Sequence, residues 1–253
     1  ESVSWARRCV EETALNIIGD ELSKFDEYQR KFISNISHDF RSPLTSIRGY
    51  VQAMVDGVIP PESQQKYLDI ILFETDRLTK LNSNLLDVNN FDKDNIFLDI
   101  SRFNLHDSIR KTAGALEGVA AKKDIHFDLE LSDTEPLWVS GDKDKIQQVL
   151  HNLMDNAVKF SHEGSSILIS TREKGNRVFV SVKDSGIGIP KDDLGKIFER
   201  FYKTDLSRGK DKLGTGLGLS ICKEIITAHK QNLDVVSTEG VGSEFVFTLT
   251  KET

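Results

Sequence analysis

Cysteine is scarce in these 253 residues: only Cys9 and Cys222 occur, far apart and in no ligand pair, as expected for a reducing compartment. Neither is a strong nucleophile candidate. Positive charge is also in deficit, with 33 Lys plus Arg against 40 Asp plus Glu and a net charge of −7. No global attraction therefore draws the chain to nucleic acid or anionic lipid, and any phosphate chemistry must be arranged locally. No apolar run approaches the roughly 20 residues that a bilayer crossing needs, and no signal-peptide pattern opens the chain, so a soluble chain is expected. What is present is core material: 38% of residues are hydrophobic, enough for one large domain or two ordinary ones.

The chain begins at Glu1 rather than methionine, and Val3, Ala6, Val10, Ala14, Ile17 and Ile18 predict a helix over 1–22 arriving from an upstream module. A long helix is expected over 21–58, with Phe25, Phe32, Ile33, Ile36, Phe40, Leu44, Ile47, Val51 and Met54 recurring mostly at helical spacing. Gly57 and Pro60-Pro61 end it. A second helix over 62–91 carries Leu68, Ile71, Leu72, Leu78, Leu81 and Leu85. Two helices joined by a short turn make a hairpin that cannot bury both of its sides, so two identical chains forming a four-helix bundle are predicted, with this domain spanning 23–93. From 100 to 251 the texture changes to an α/β sandwich, with helices over 106–121, 143–160 and 215–228 and strands over 126–130, 166–173, 177–184, 232–238 and 243–250. The last two strands read as a hairpin across EGVG. The stretch from Gly188 to Gly214 is longer than a structural connection needs and reads as a mobile lid.

Three clusters carry chemistry. On the first helix Asn35, His38, Arg41, Ser42 and Thr45 share a polar face, opposite Ile33, Ile36, Phe40, Leu44 and Ile47. An imidazole there attacks phosphorus through an unprotonated nitrogen, and Asp39 can take or orient the proton on the other. Ser42, one turn on, can hold a water near a phosphorylated ring. A single histidine on a solvated face is nevertheless a weak signal. In HNLMDNAVKF, Asn152, Asn156 and Lys159 form a polar stripe opposite Val149, Leu150, Leu153 and Ala157. An amide oxygen there can complete a Mg²⁺ shell and the lysine can neutralise phosphate, although an ordinary amphipathic helix has the same pattern. Asp184, at a strand end before Gly186 and Gly188, can accept a hydrogen bond from an exocyclic amine, which predicts adenine over guanine. The cluster Gly214, Gly216, Gly218 precedes a helix whose first N–H groups can face phosphate. It matches neither GxxxxGK[ST] nor a dinucleotide GxGxxG, so both common nucleotide folds lose ground.

In this order the segments resemble the catalytic core of the sensor histidine kinases of two-component systems. FISNISHDFRSPLTSIRGY resembles the phosphoacceptor box, VLHNLMDNAVKFS the asparagine box and VKDSGIGIP the first glycine box. IFERFYK resembles the phenylalanine box, while GTGLGLSICKEIITAH and STEGVGSEFVFTL resemble the later glycine elements. The resemblance implies that His38 is phosphorylated by ATP, Asp39 activates it, and Ser42 positions water for dephosphorylating a response regulator. It further implies that Asn156 holds Mg²⁺, that Asn152 and Lys159 lie at the phosphates, and that Asp184 recognises adenine. Gly186, Gly188, Gly214, Gly216 and Gly218 become cradle and lid-hinge glycines, with Arg200, Tyr202 and Lys203 in the lid. Also implied are a homodimer, a receiver domain as phosphoryl acceptor, a cytoplasmic catalytic portion and a membrane-bound sensory half upstream. One departure is visible: Lys230-Gln231-Asn232 stands where the family commonly has Gly-Gly, and a left-handed turn at Asn232 is the expected accommodation. The alternatives are an ATP-binding switch or ATPase of the related gyrase, chaperone and MutL superfamily, which leaves His38 and Asp39 unexplained, and a degenerate scaffold that binds ATP without transferring phosphate.

Overall fold

The computed structural model describes residues 30, 33–34, 36–37, 39–90, 97–205, 207 and 214–252. The helix expected over 1–22 lies outside them, as do Asn35 and His38. The chain divides into two compact units, Glu1–Lys80 and Leu81–Thr253.

In the first unit helix α1 is continuous over 39–55 and stops three residues short of the expected end. Its exit is a Schellman motif: Val58 N donates to Ala53 O at 2.9 Å and Gly57 N to Met54 O at 3.2 Å, with Gly57 in the left-handed region at φ 68°. Pro60 cannot continue a helix, and Pro61–Ser63 form a single 3-10 turn that leads into α2, Gln64–Asn90. Tyr50 and Tyr67 meet across this turn with ring centroids 5.2 Å apart. Apolar side chains remain outside on both helices: Leu44, Val51, Val55, Leu68, Leu72 and Phe73 are all more than 40% exposed.

The second unit is an α/β sandwich, as expected. Its elements in chain order are β1 (Ile100–Asn104), α3 (Leu105–Ala121), β2 (His126–Glu130), β3 (Trp138–Asp142), α4 (Lys143–Phe160), β4 (Ser166–Lys174), β5 (Arg177–Lys183), α5 (Gly218–Ala228), β6 (Leu233–Thr238) and β7 (Gly242–Lys251). The sheet runs β1-β3-β7-β5-β4-β2, with β6 also paired to β7. Only β2 and β4 are parallel among the named pairs. The hairpin across EGVG is β6–β7, with Thr238 opposite Gly242. Val178, Val180 and Val182 of β5 are buried at every second position, the period a sheet face demands. Against the sheet α4 buries Val149, Leu150, Leu153, Met154, Ala157 and Val158, so its opposite face carries the asparagines.

Two strands escape the sequence patterns. In β1 only Phe103 is buried, so no alternation announces it. The five residues of β3 end in Gly141 and Asp142, residue types that strands disfavour. The two pair only with each other and with the last residues of β7. Gly141 lets the His229 ring pack closely, 3.3 Å from where a Cβ would stand.

Two further expectations need correction. Helix α5 begins at Gly218, three residues later than predicted, because Gly216 takes φ 69° and breaks the helical run. The left-handed residue after α5 is Lys230, at φ 56°, and not Asn232. Gln231 N donates to Ile226 O at 3.0 Å and Lys230 N to Thr227 O at 2.8 Å, which makes Lys230 the residue of the Schellman turn that glycine ordinarily fills.

Candidate functional site

The stripe on α4 is positioned at both helix ends. At the N-terminus Asp142 Oδ1 accepts from Asp144 N and Lys145 N, both at 3.1 Å, and Oδ2 accepts from Asp99 N at 3.1 Å. His229 Nε2 accepts from Asp142 N at 2.9 Å, which puts the ring hydrogen on Nδ1, where it donates to Ile225 O at 2.8 Å. One neutral imidazole thus ties the end of α5 to the start of α4. At the C-terminus Lys123 Nζ donates to Val158 O and Lys159 O, both at 2.9 Å, meeting carbonyls that the helix cannot satisfy itself.

Asn152 and Asn156 are half-buried on this helix. Asn152 Nδ2 donates to Gly218 O at 3.5 Å, joining the stripe to the start of α5. Lys159 Nζ pairs with Asp155 at 2.8 Å, one helical turn back. Sequence reasoning missed Asp155 because it lies between the two asparagines and offers no separate pattern. Its carboxylate holds the ammonium that phosphate would have to recruit.

Asp184 follows β5 and is buried, 7% exposed. Burial pushes its carboxyl above the usual range, while N–H bonds from Ser243 and Gly186 oppose the shift. Both donate to Oδ1, at 3.3 and 2.9 Å. The flanking glycines are required sterically: a Cβ on Gly186 would strike Phe160 O, and one on Gly188 would strike Thr238 O. Gly242, equally close to Asp184 O, and Ser243 were not found from sequence. They come from β7, and only strand pairing brings them beside the aspartate.

The glycine cluster forms a loop, with Phe201 N donating to Gly216 O at 2.9 Å. No side chain caps α5, so its first N–H groups are not taken by a local side-chain acceptor. Gly214 and Gly216 precede the helix and Gly218 opens it. Of the stretch read as a lid, Arg200 is fastened to Glu224 of α5 at 2.6 Å. Tyr202 OH donates to Asp193 at 2.6 Å, a bond that pushes the phenol up to about 12. In the other unit Asp39 is half-buried and Ser42 exposed on α1.

Two family models match. Residues 28–93 match the His Kinase A (phospho-acceptor) domain, and residues 141–253 match the Histidine kinase-, DNA gyrase B-, and HSP90-like ATPase family. The sensor histidine kinase WalK of Bacillus subtilis is 38% identical over 234 residues, covering 90% of this chain and 38% of WalK. The chain therefore spans well under half the length of that curated relative. The catalytic domain of histidine kinase ThkA is 36% identical, with a TM-score of 0.54 over 60% of this chain and 96% of that domain. A structure of histidine kinase ThkA in complex with response regulator protein TrrA is 31% identical, with a TM-score of 0.71 over 88% of this chain and 61% of that one.

Proposed function

The chain belongs to the sensor histidine kinase family, and from that premise we propose that it uses ATP to phosphorylate its own His38 and passes the phosphoryl group to an aspartate of a response-regulator receiver domain. The observation that supports this most is the order of the two family matches on one chain: a phospho-acceptor region containing His38, then an ATPase region containing Asn152, Asn156, Lys159, Asp184 and the glycine cluster. An ATPase switch would need no phospho-acceptor region. The likeness to a kinase solved with its response regulator supports the choice of acceptor.

In the proposed reaction an unprotonated nitrogen of His38 attacks the γ-phosphorus of ATP. A P–N bond forms, the bond to the bridging oxygen breaks, and ADP leaves with that electron pair. Asp39 accepts the proton carried by the other ring nitrogen. Asp184 takes the adenine amine, and Asn152 and Lys159 meet the phosphates once Lys159 yields its bond to Asp155. Among the described residues no group of three or more His, Cys, Asp or Glu could hold a metal. Mg²⁺ is commonly bound through phosphates, waters and few protein ligands. Asn156 would offer it an amide oxygen, and the ion when bound neutralises phosphate charge. We further propose a homodimer through 23–93, a cytoplasmic site of action below a membrane-bound sensory half, and regulator dephosphorylation through water held by Ser42.

Incubation with γ-labelled ATP tests the core of this reading. Label stable in base and lost in acid is expected, and His38→Ala should abolish it while ATP affinity persists. Base-stable label surviving in that variant would remove His38. Ser42→Ala should keep the label and slow loss of the regulator's phosphate; an unchanged rate would remove Ser42 from that step.

A further inference from the structure

Ser237, near the end of β6, has no part in the site described so far. It is half-buried and stands opposite Ser243 in the β6–β7 ladder. Its Oγ meets three partners, each at 2.9 Å: Ile189 N donates to it, Gly242 O accepts from it, and Ser243 Oγ is the third. A hydroxyl has one hydrogen to give and two lone pairs to receive. Gly242 O can only accept, so the Ser237 hydrogen goes there and the Ser243 hydroxyl donates to Ser237. The three bonds use the whole capacity of the group. They also join two segments that flank Asp184. Ile189 follows the glycine loop, whose Gly186 N donates to Asp184 Oδ1 at 2.9 Å. Gly242 and Ser243 open β7, and Ser243 N donates to the same Oδ1 at 3.3 Å while Ser243 O accepts from Asp184 N at 2.8 Å.

We propose that Ser237 is a positioning residue for base recognition: its hydroxyl staples together the two segments whose N–H groups hold Asp184 Oδ1, and so aims the other carboxylate oxygen at the exocyclic amine of adenine. This rests on the ATP reading above. Ser237 acts through Asp184 and not on the nucleotide. A binding group keeps its geometry only when the residues behind it are themselves fixed by hydrogen bonds and packing, and here one saturated hydroxyl fixes both sources of the N–H donors. Main-chain ties between the same segments survive any change of side chain: Gly240 N donates to Ile187 O at 2.8 Å, and the β6–β7 ladder runs from Leu233 opposite Phe247 to Thr238 opposite Gly242. Loss of the hydroxyl should therefore loosen the aim of the carboxylate and leave the hairpin folded.

Calorimetric titration of the whole chain with ATP and with purine riboside triphosphate, which lacks the amine, tests the assignment. The wild-type chain should prefer ATP. Ser237→Ala should weaken ATP binding roughly two- to tenfold and leave purine riboside triphosphate at the wild-type affinity. On an Asp184→Asn background the same substitution should change ATP affinity by less than about twofold, because residues that act through one another are not additive. Ser237→Thr and Ser237→Val have nearly the same shape and differ in the hydroxyl, so threonine should keep the preference and valine lose it, a comparison that stands even where alanine destabilises the strand. Equal losses for both nucleotides, unchanged ATP affinity in Ser237→Ala, or an undiminished further loss on the Asp184→Asn background would overturn the inference. A wild-type chain that binds ATP and the amine-free analogue alike would instead overturn the assignment of Asp184 to the amine, and this inference with it.

Discussion

Asp184 combines two demands that pull apart. Its burial opposes ionisation, yet accepting an amine requires an acceptor oxygen, and two N–H donors on Oδ1 lessen the conflict. Asp184→Asn keeps an oxygen for those donors but can turn an amide N–H toward the base. ATP affinity should then fall at least about tenfold, while the melting temperature at pH 7 holds or rises because no buried charge remains. Unchanged ATP affinity by titration would remove Asp184 from the base. Elsewhere Glu135 binds Arg110 at 2.8 Å and buried His106 at 3.0 Å. Arg110 first, and His106 second, hold its carboxyl down from 4.5 to about 2. A depressed folded-state pKa means stabilisation that is present in full above 4.5 and lost as pH falls through about 2. Glu135→Gln should therefore be less stable at neutral pH and lose less stability between those limits. Parallel acid-unfolding curves for the two proteins would refute the linkage. Glu135 is 47% exposed, so solvent screening keeps the effect small.

At the scale of elements, α4 is the organising piece, capped at its start by Asp142 and at its end by Lys123. Its asparagine stripe was legible because the buried set Val149, Leu150, Leu153 and Ala157 repeats at helical spacing and leaves one face for polar groups. The end of α5 was legible, but its turn was not. Lys230 holds φ 56°, a conformation that costs an L-residue about 1 kcal/mol or more. Lys230→Gly should stabilise the second unit by about 0.5–1 kcal/mol after glycine's own entropy loss, raising the melting temperature by about 1–4 °C. A lower melting temperature would mean that the lysine side chain contributes more than its backbone costs.

At the scale of the whole molecule, the exposed apolar side chains of the two helices call for a cover. Leu72 is 62% exposed and Val55 76%, and Leu44, Val51, Leu68 and Phe73 are exposed as well, so both helices present large apolar side chains to solvent. A second copy of this hairpin is the partner that symmetry makes most economical. Analytical ultracentrifugation should find a dimer at micromolar concentration, and Leu72→Glu should shift it toward monomer without changing ATP affinity. A wild-type monomer under those conditions would discard the dimer.

By itself the sequence determined the order of the helices and of five of the seven strands, the α/β class of the second unit and the residue types of the candidate site. These rest on short-range rules: helical and strand periodicity, glycines at turns, and motifs contiguous in the chain. Local signals did not reach β1 and β3, whose pairing joins segments 38 residues apart at Ser140 and Arg102, nor the left-handed Lys230. Only the tertiary structure decided that Ser243 crosses from β7 to Asp184, that His229 at the end of α5 meets Asp142 at the start of α4, and that Lys123 closes the far end of α4. Those facts depend on packing between segments distant in sequence, where burial and strand pairing set the partners and no residue pattern records the outcome.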